Sequence, residues 1–260
     1  MKSFNVDDSI WARIERWEPY VTLRLIVINA VVFLASSAAQ PGRQDTPVFD
    51  RFGMDYLSVV MQNQHYRMFT AMFLHDGWMH IFNNMLFLAL LGYMVERPLG
   101  RARFLLAYFG AGYLGFVFAL VWQYDPQVAA VSQRGLALLA RPTVGASGAV
   151  LGMLGVWLAY ERSLRVSLSQ MWHSPNGQRV MVFTGYYVIA SLVGINPRVS
   201  HSAHLGGIVG GFLLGFFLFS MGYRGRTLPR QGWMALAAYL ALAVGGLVYA
   251  YQRAPGFNLL

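Results

Sequence analysis

The chain has 260 residues, of which 56% are hydrophobic and only 12% are charged. Soluble proteins carry about 25% charged residues, so this composition excludes an ordinary soluble domain and favours a membrane protein. The absence of cysteine excludes disulfides, thiolate metal sites and a cysteine nucleophile. The formal net charge of +9 does not indicate nucleic-acid binding, because the basic residues lie in short loops between apolar segments.

A short amphipathic stretch precedes the first apolar segment. Four apolar residues stand there at helical spacing, with charged residues between them. The four are Ile10, Trp11, Ile14 and Trp17. This pattern is typical of a helix in the membrane interface, and equally of an amphipathic packing helix. The N-terminus resembles neither a secretory signal nor a transit peptide. We therefore predict a retained cytoplasmic or interfacial segment at 1–20.

Seven apolar segments follow, and each is a candidate membrane helix. A helix that crosses the hydrocarbon core needs about 20 mostly apolar residues. The segments lie at about 21–39, 79–96, 101–123, 147–161, 179–195, 203–222 and 233–251. We therefore predict an all-α polytopic membrane protein. The loop of about 40 residues between the first two segments is long enough to expect function or structure of its own.

The distribution of Lys and Arg predicts the orientation, because these residues are retained on the cytoplasmic side during insertion. With the N-terminus inside, the 20 Lys and Arg residues divide into 13 cytoplasmic and 7 outer positions. The cytoplasmic set is Lys2, Arg13, Arg16, Arg24, Arg97, Arg101, Arg103, Arg162, Arg165, Arg179, Arg224, Arg226 and Arg230. The outer set is Arg43, Arg51, Arg67, Arg134, Arg141, Arg198 and Arg253. Seven spans then leave the C-terminus outside.

Three polar clusters lie at the N-terminal ends of segments two, four and six, which all run in the same direction through the bilayer. The first contains His80 and Asn84, which share one face of a helix because they are four residues apart. The second contains Ser147 between two glycines. The third contains His204, followed by a glycine at every fourth position: Gly207, Gly211 and Gly215. A simpler interpretation of the first cluster is a helix start with a buried, hydrogen-bonded histidine. A simpler interpretation of the second is tight helix packing through its small residues.

These clusters are expected to converge at the outer side, just inside the membrane. The glycine stripe allows segment six to approach segment four, which would bring His204 near Ser147. Ser147 would then supply a nucleophile and His204 a general base. His80 and Asn84 would donate to an oxyanion, together with the backbone N–H of Ser147 at the start of its helix.

Helical register distinguishes the two histidines near the start of segment six, and the positions of the acidic residues decide between a dyad and a triad. Of the two histidines near the start of segment six, only His204 is in register with the glycine stripe, so we predict that His204 and not His201 is the base. Segments two, four and six contain no Asp or Glu except Glu96 and Glu161, which fall at the opposite, cytoplasmic ends. We therefore predict a dyad rather than a triad, and we do not expect Asp76 to reach His204 from its loop.

Taken together, the motifs resemble the rhomboid protease family over about residues 20–222. The matching motifs are G-A-S-G at 145–148, A-H-L-G-G at 203–207 and H-x-x-x-N at 80–84, with His75 and Tyr66–Thr70 before them. Two positions depart from the family pattern. Tyr66 stands where the family usually has Trp, and Leu151 where members often carry an aromatic that packs against the catalytic histidine.

This resemblance implies a six-helix catalytic domain at 21–222 that acts as an intramembrane serine endopeptidase without a cofactor. Its substrates would be single-span transmembrane proteins, cut near the outer membrane boundary. The family's nucleophile carries over to Ser147, its base to His204, and its oxyanion donors to His80 and Asn84. A loop and a seventh transmembrane helix would follow at 223–260, and we expect the chain in a bacterial inner membrane.

Other functions are less well supported by the sequence. The main alternative is a catalytically inactive rhomboid-like membrane binding protein or chaperone, which loss of the serine or the histidine would indicate, and both are present. A transporter should show an internal repeat, and we find none. A metalloprotease lacks its H-E-x-x-H motif here. An aspartyl intramembrane protease would need two membrane-embedded Asp residues, which the segments do not contain.

Overall fold

The computed structural model describes residues 20–37, 47–123, 139–192, 200–221 and 230–254, with the backbone alone for 37, 123 and 187–192. The amphipathic stretch predicted before residue 20 lies outside these ranges. Within these ranges every regular secondary-structure element is a helix. The only β-type pairing there is an isolated bridge between Met54 and Thr143. The predicted all-α class is therefore confirmed for the described part of the chain.

Ten α-helices occur in the described ranges, and they are numbered here in chain order. They are α1 (Tyr20–Ser37), α2 (Pro47–Phe52), α3 (Arg67–Thr70), α4 (Trp78–Leu99), α5 (Arg101–Gln123), α6 (Ser147–Ser163), α7 (Leu168–His173), α8 (Pro175–Leu192), α9 (His201–Ser220) and α10 (Arg230–Gln252). A π-helical turn at Leu57–Met61 and a 3-10 turn at Ala71–Phe73 lie between α2 and α4. The seven long helices match the seven predicted apolar segments to within a few residues.

Four of the described helices are long and apolar enough to cross a membrane, namely α4, α5, α9 and α10. Helix α1 is a shorter apolar helix, and α6 has only 17 residues. The predicted number of seven spans is therefore not confirmed by length and composition. Helix α6 has a physical reason to be short: every residue of 148–157 is buried among neighbouring helices, so hydrocarbon thickness does not set its length.

Large apolar side chains cover the outer surfaces of the bundle. Val27 and Val31 of α1 are each 59% exposed, and Met234 and Val244 of α10 are 59% and 60% exposed. Soluble proteins seldom expose so much contiguous apolar surface, whereas lipid tails accommodate it without cost. These faces are therefore suited to contact with the hydrocarbon of a bilayer.

The closest helix packing in the bundle lies between α9 and α6. A Cβ atom at Gly207 or Gly211 would collide with the backbone carbonyl of Gly148 or Gly152, respectively. Glycine is therefore required at these positions, because any side chain would separate the two backbones. The predicted approach of the glycine stripe to segment four is confirmed.

A buried carboxylate joins the end of α4 to the start of α1. Glu96, near the end of α4, is 0% exposed and accepts hydrogen bonds from the backbone N–H groups of Val21 and Thr22 at 3.0 and 2.8 Å. The hydroxyl of Thr22 donates to the same carboxylate at 2.7 Å. Glu96 therefore satisfies N–H groups in the first turn of α1, which have no acceptor within that helix.

The loop between α1 and α4 has a structure of its own, as its length predicts. Arg67 is buried and forms an ion pair with Asp55 at 3.3 Å, and it also donates to the carbonyl of Gly53 at 3.0 Å. The neighbouring Tyr66 is half exposed, and its hydroxyl donates to the carbonyl of Arg51 at 3.1 Å. Arg67 therefore fastens the two halves of this loop together.

The end of α10 is fastened to the same loop. The hydroxyl of Tyr56 donates to the carbonyl of Ala250 at 2.6 Å, in a buried position. The hydroxyl of Tyr251 donates to the carbonyl of Val59 at 3.1 Å and lies 2.9 Å from Nε2 of His65. Helix α10 therefore ends on the side of the bundle where this loop lies.

Candidate active site

Ser147 is the first residue of α6, and His204 lies in the first turn of α9. The Oγ of Ser147 and the Nε2 of His204 are 2.8 Å apart, within hydrogen-bond distance. His204 is only 7% exposed. The glycine packing fixes this contact, because Gly207 lies against Gly148, the residue next to Ser147. The structure thus brings together the two residues that the sequence predicts as nucleophile and base.

His201 lies one turn before His204 on α9 but in different surroundings. The helix already includes His201, and Ser200 caps it by accepting a hydrogen bond from the N–H of Ala203 at 3.3 Å. His201 is exposed, whereas His204 is buried. The orientation of α9 therefore turns one histidine toward Ser147 and the other outward.

The turn that leads into Ser147 is held by the loop between α1 and α4. Thr143 and Met54 exchange two backbone hydrogen bonds of 2.6 and 3.2 Å, and the N–H of Gly145 donates to the carbonyl of Ala71 at 2.9 Å. Gly145 has φ +119°, in the region that favours glycine. This turn directs the start of α6 into the site.

The first turn of α6 presents backbone donors beside the serine hydroxyl. The first N–H groups of a helix have no acceptor within it. In α6 the N–H of Val150 bonds to the carbonyl of Ala146 at 2.9 Å, so the N–H groups before Val150 precede the helical ladder. The N–H of Ser147 and the positive end of the helix dipole are therefore suited to stabilise negative charge near its Oγ.

His80 and Asn84 face this turn from α4. A Cβ atom at Gly145 would lie 2.7 Å from Nε2 of His80 and 3.6 Å from Nδ2 of Asn84. Asn84 is 5% exposed, and its Nδ2 has no hydrogen-bond partner among the residues that the structure describes. Buried donors are seldom left unpaired in proteins. This one is available to an acceptor that a substrate would bring.

Asp76 is a site residue that the sequence analysis did not assign. Its Oδ1 lies 2.5 Å from Nδ1 of His80, so Asp76 pairs with His80. The two side chains are 9% and 17% exposed, respectively. The spacing of four residues at the start of a helix is a signal that could have predicted this pair.

His75 is buried behind this pair. Its ring meets that of His80 edge to face, with the centroids 5.1 Å apart, and it is only 1% exposed. Burial, reinforced by the neighbouring His80, lowers the pKa of His75 to about 3. His75 is therefore uncharged at neutral pH, and it fills space beside the site as a neutral ring.

Leu151, the second position that departs from the family pattern, is part of the core. Leu151 lies one turn after Ser147 on α6 and is 5% exposed. It keeps an apolar side chain in the first turns of α6, with less volume than an aromatic ring would have.

Comparison with known proteins identifies the domain that carries this site. The Rhomboid domain matches residues 62–221, more than half of the chain, and this range includes Ser147, His204, His80 and Asn84. The chain is 30% identical over 240 residues to "Rhomboid protease GluP" of Bacillus subtilis (strain 168), covering 89% of this chain and 41% of that protein. It is 33% identical over 157 residues to "Putative rhomboid protease YdcA" of the same bacterium, covering 60% of this chain and 69% of that protein.

A plant relative gives a similar result. The chain is 30% identical over 182 residues to "RHOMBOID-like protein 6, mitochondrial" of Arabidopsis thaliana, covering 69% of this chain and 50% of that protein. For two further plant relatives the match covers 44% and 39% of their length, so this chain spans about half or less of these three curated proteins. The match to the Rhomboid domain and these relatives show that the chain belongs to the rhomboid family.

Proposed function

We propose that this chain is an intramembrane serine endopeptidase that cuts transmembrane proteins, with Ser147 as the nucleophile and His204 as the general base. The observation that carries this proposal is the contact of 2.8 Å between Ser147 Oγ and His204 Nε2. A serine hydroxyl is a weak nucleophile until an adjacent base accepts its proton. Such a base must lie within hydrogen-bond reach of that proton.

The first half of the reaction forms an acyl-enzyme. Ser147 Oγ attacks the carbonyl carbon of the scissile peptide bond while His204 Nε2 takes the hydroxyl proton. The carbonyl electron pair moves onto its oxygen and forms a tetrahedral oxyanion. When the C–N bond breaks, His204 gives the proton to the leaving amine, and the carbonyl fragment stays on Ser147 as an ester.

The second half releases that fragment. A water molecule gives a proton to His204 and attacks the ester carbon. The C–O bond to Ser147 then breaks, and His204 returns the proton to Ser147 Oγ. The polar groups at the starts of α4, α6 and α9 would keep this water inside the protein at membrane depth.

The oxyanion would be met by donors from two elements. The N–H of Ser147 lies at the start of α6, and Asn84 Nδ2 and His80 Nε2 face the turn before it. The unpaired amide of Asn84 supports this assignment, because a buried donor without a partner is suited to a transient acceptor. Removing one such donor reduces the rate by about 100- to 1000-fold in serine proteases.

We also propose the membrane arrangement. A six-helix catalytic domain at 21–222, with α1, α4, α5, α6, α8 and α9, would be followed by α10 as a seventh span within 223–260. The N-terminus would lie in the cytoplasm of a bacterial cell and the C-terminus outside. The division of the basic residues, 13 to 7, supports this orientation. Cleavage of single-span substrates near the outer boundary follows, because α6 and α9 would both begin at that side.

The test is cleavage by the purified chain in liposomes that also contain a single-span substrate. Ser147→Ala should abolish cleavage, and chelators should leave it unchanged. The matched control is Ser163→Ala, at the other end of α6, where the exposed hydroxyl donates only to the carbonyl of Tyr160 at 2.6 Å.

Equal cleavage by Ser147→Ala would instead favour another mechanism, and zinc-dependent activity would exclude the serine mechanism. A folded wild type that cuts none of a panel of substrates would favour the inactive binding protein.

A further inference from the structure

Asp76 has no role in the reaction described above, although it pairs with His80, a proposed oxyanion donor. The two ring nitrogens of His80 face different partners. Nδ1 lies 2.5 Å from the Oδ1 of Asp76. Nε2 lies beside the backbone of Gly145, where a Cβ atom would be 2.7 Å away, two residues before Ser147. His80 therefore connects a carboxylate on one side with the proposed oxyanion position on the other.

This geometry restricts what His80 can donate. An ionised carboxylate only accepts hydrogen bonds, so the Nδ1 of His80 carries a proton when it bonds to Asp76. A neutral imidazole has one N–H, and its Nε2 would then be an acceptor. An acceptor there would repel an oxyanion. Only a ring protonated on both nitrogens can bond to Asp76 and donate to the oxyanion together.

Asp76 is the charged neighbour that His80 contacts. Asp76 supplies a negative charge, and its side chain is only 9% exposed, so solvent screens the pair weakly. The other titratable neighbours are His75, which is uncharged above its pKa of about 3, and His204, which acts as a neutral base. The 3-10 turn at 71–73, the turn at 143–146 and the first turn of α6 contain no ionisable side chain.

We infer that Asp76 is a positioning residue of the proposed protease, which accepts a hydrogen bond from His80 Nδ1–H and so holds the ring with Nε2–H toward the oxyanion formed at Ser147. This inference rests on the proposed protease activity. Asp76 belongs to a charged pair on the oxyanion side of the site, separate from the Ser147–His204 dyad.

The central variant is Asp76→Asn, which keeps an oxygen that accepts from Nδ1–H but removes the charge. We expect kcat at neutral pH to fall about tenfold or more, as for a weakened oxyanion donor, with little change in KM. Asp76→Glu should restore part of the rate. The matched control is Asp50→Asn, an exposed carboxylate on α2, which should leave both kcat and KM unchanged.

A second experiment separates an effect through His80 from a general structural effect. In a His80→Ala background, Asp76→Asn should cause no further loss, because the residue through which Asp76 acts is gone. An undiminished loss in that background would overturn the inference. A kcat of Asp76→Asn equal to that of the wild type would also overturn it, while leaving the proposed protease activity intact. A wild type that cuts no substrate would instead contradict the proposed function and this inference with it.

Discussion

Two histidines of one helix turn illustrate how the site depends on single side chains. His204 is 7% exposed and lies 2.8 Å from the hydroxyl of Ser147, whereas His201 is exposed. Proton transfer requires hydrogen-bond contact between base and nucleophile. His204 alone should therefore act as the general base, although both residues carry an imidazole at the same end of α9.

We predict that His204→Ala reduces cleavage to the background of Ser147→Ala, while His201→Ala retains most of the wild-type rate. The measurement is the initial rate of cleavage in liposomes at equal amounts of inserted protein. Size-exclusion profiles in detergent would show that both variants are folded. A larger loss for His201→Ala than for His204→Ala would reverse the proposed assignment.

Only part of the site could be predicted from the sequence. The spacing of Ser147, His204, His80 and Asn84 within their segments predicted which residues come together, because the clusters begin helices that run in one direction. The pairing of Asp76 with His80 was missed, although their spacing of four residues at the start of α4 could have indicated it. The turn at Gly145 was also missed, because the contacts that hold it come from residues about 70 to 90 positions earlier.

At the scale of helices, the distance between α6 and α9 decides whether Ser147 and His204 can touch. Gly211 of α9 packs on the carbonyl of Gly152, one turn beyond the contact of Gly207 with Gly148. A methyl group at Gly211 would therefore push the two helices apart. Such overpacking usually costs about 1–3 kcal/mol.

We predict that Gly211→Ala lowers stability by about 1–3 kcal/mol and reduces cleavage about tenfold or more, because the dyad contact lengthens. The control is Gly245→Ala on α10, where a Cβ atom would meet nothing within 4 Å. That variant should keep its activity and its stability. The measurements are cleavage rate and thermal unfolding in detergent. Unchanged activity in Gly211→Ala would mean that the close packing does not hold the dyad.

The start of α1 depends on a residue 75 positions away. Glu96 accepts two backbone N–H groups and one hydroxyl there, and it is fully buried. We predict that Glu96→Ala lowers stability by about 2–4 kcal/mol, because it leaves buried donors without an acceptor. Glu161→Ala, which removes a partly exposed carboxylate at the end of α6, should be nearly neutral in the same unfolding assay. Equal effects of the two variants would argue against the capping role.

The helices themselves were easier to predict than their ends and partners. Apolar runs located the centres of all seven long helices. Helix α8 begins at Pro175, four residues before the predicted segment, because proline suits the first helical position and the polar residues after it hide the start. The role of Glu96 could not be predicted, since local patterns contain no information about a contact between distant segments.

At the scale of the whole molecule, the two termini of the bundle lie at opposite ends. The start of α1 packs on Glu96 near the end of α4, whereas the end of α10 contacts Tyr56 and Val59 in the loop beside the candidate site. An odd number of spans would produce this arrangement, and the orientation that the basic residues predict stays a prediction.

We predict that a reporter fused to the N-terminus reads cytoplasmic and that one fused after Leu260 reads external. Paired reporters of opposite compartment preference, one for each side, would measure this in living cells. Reporters that both read cytoplasmic would mean that the chain makes an even number of crossings. The proposed seventh span would then be the first helix to reassign.

The central claim, that Ser147 carries the reactive hydroxyl, is tested most directly by its covalent capture. The reconstituted protein would be treated with a fluorophosphonate, and peptide mass spectrometry would locate the adduct while cleavage is measured on the same sample. We expect one adduct, on Ser147, with cleavage lost in proportion to its occupancy and labelling reduced to background in His204→Ala. Full occupancy of Ser147 with undiminished cleavage, or inhibition through an adduct on another residue, would contradict the proposed mechanism.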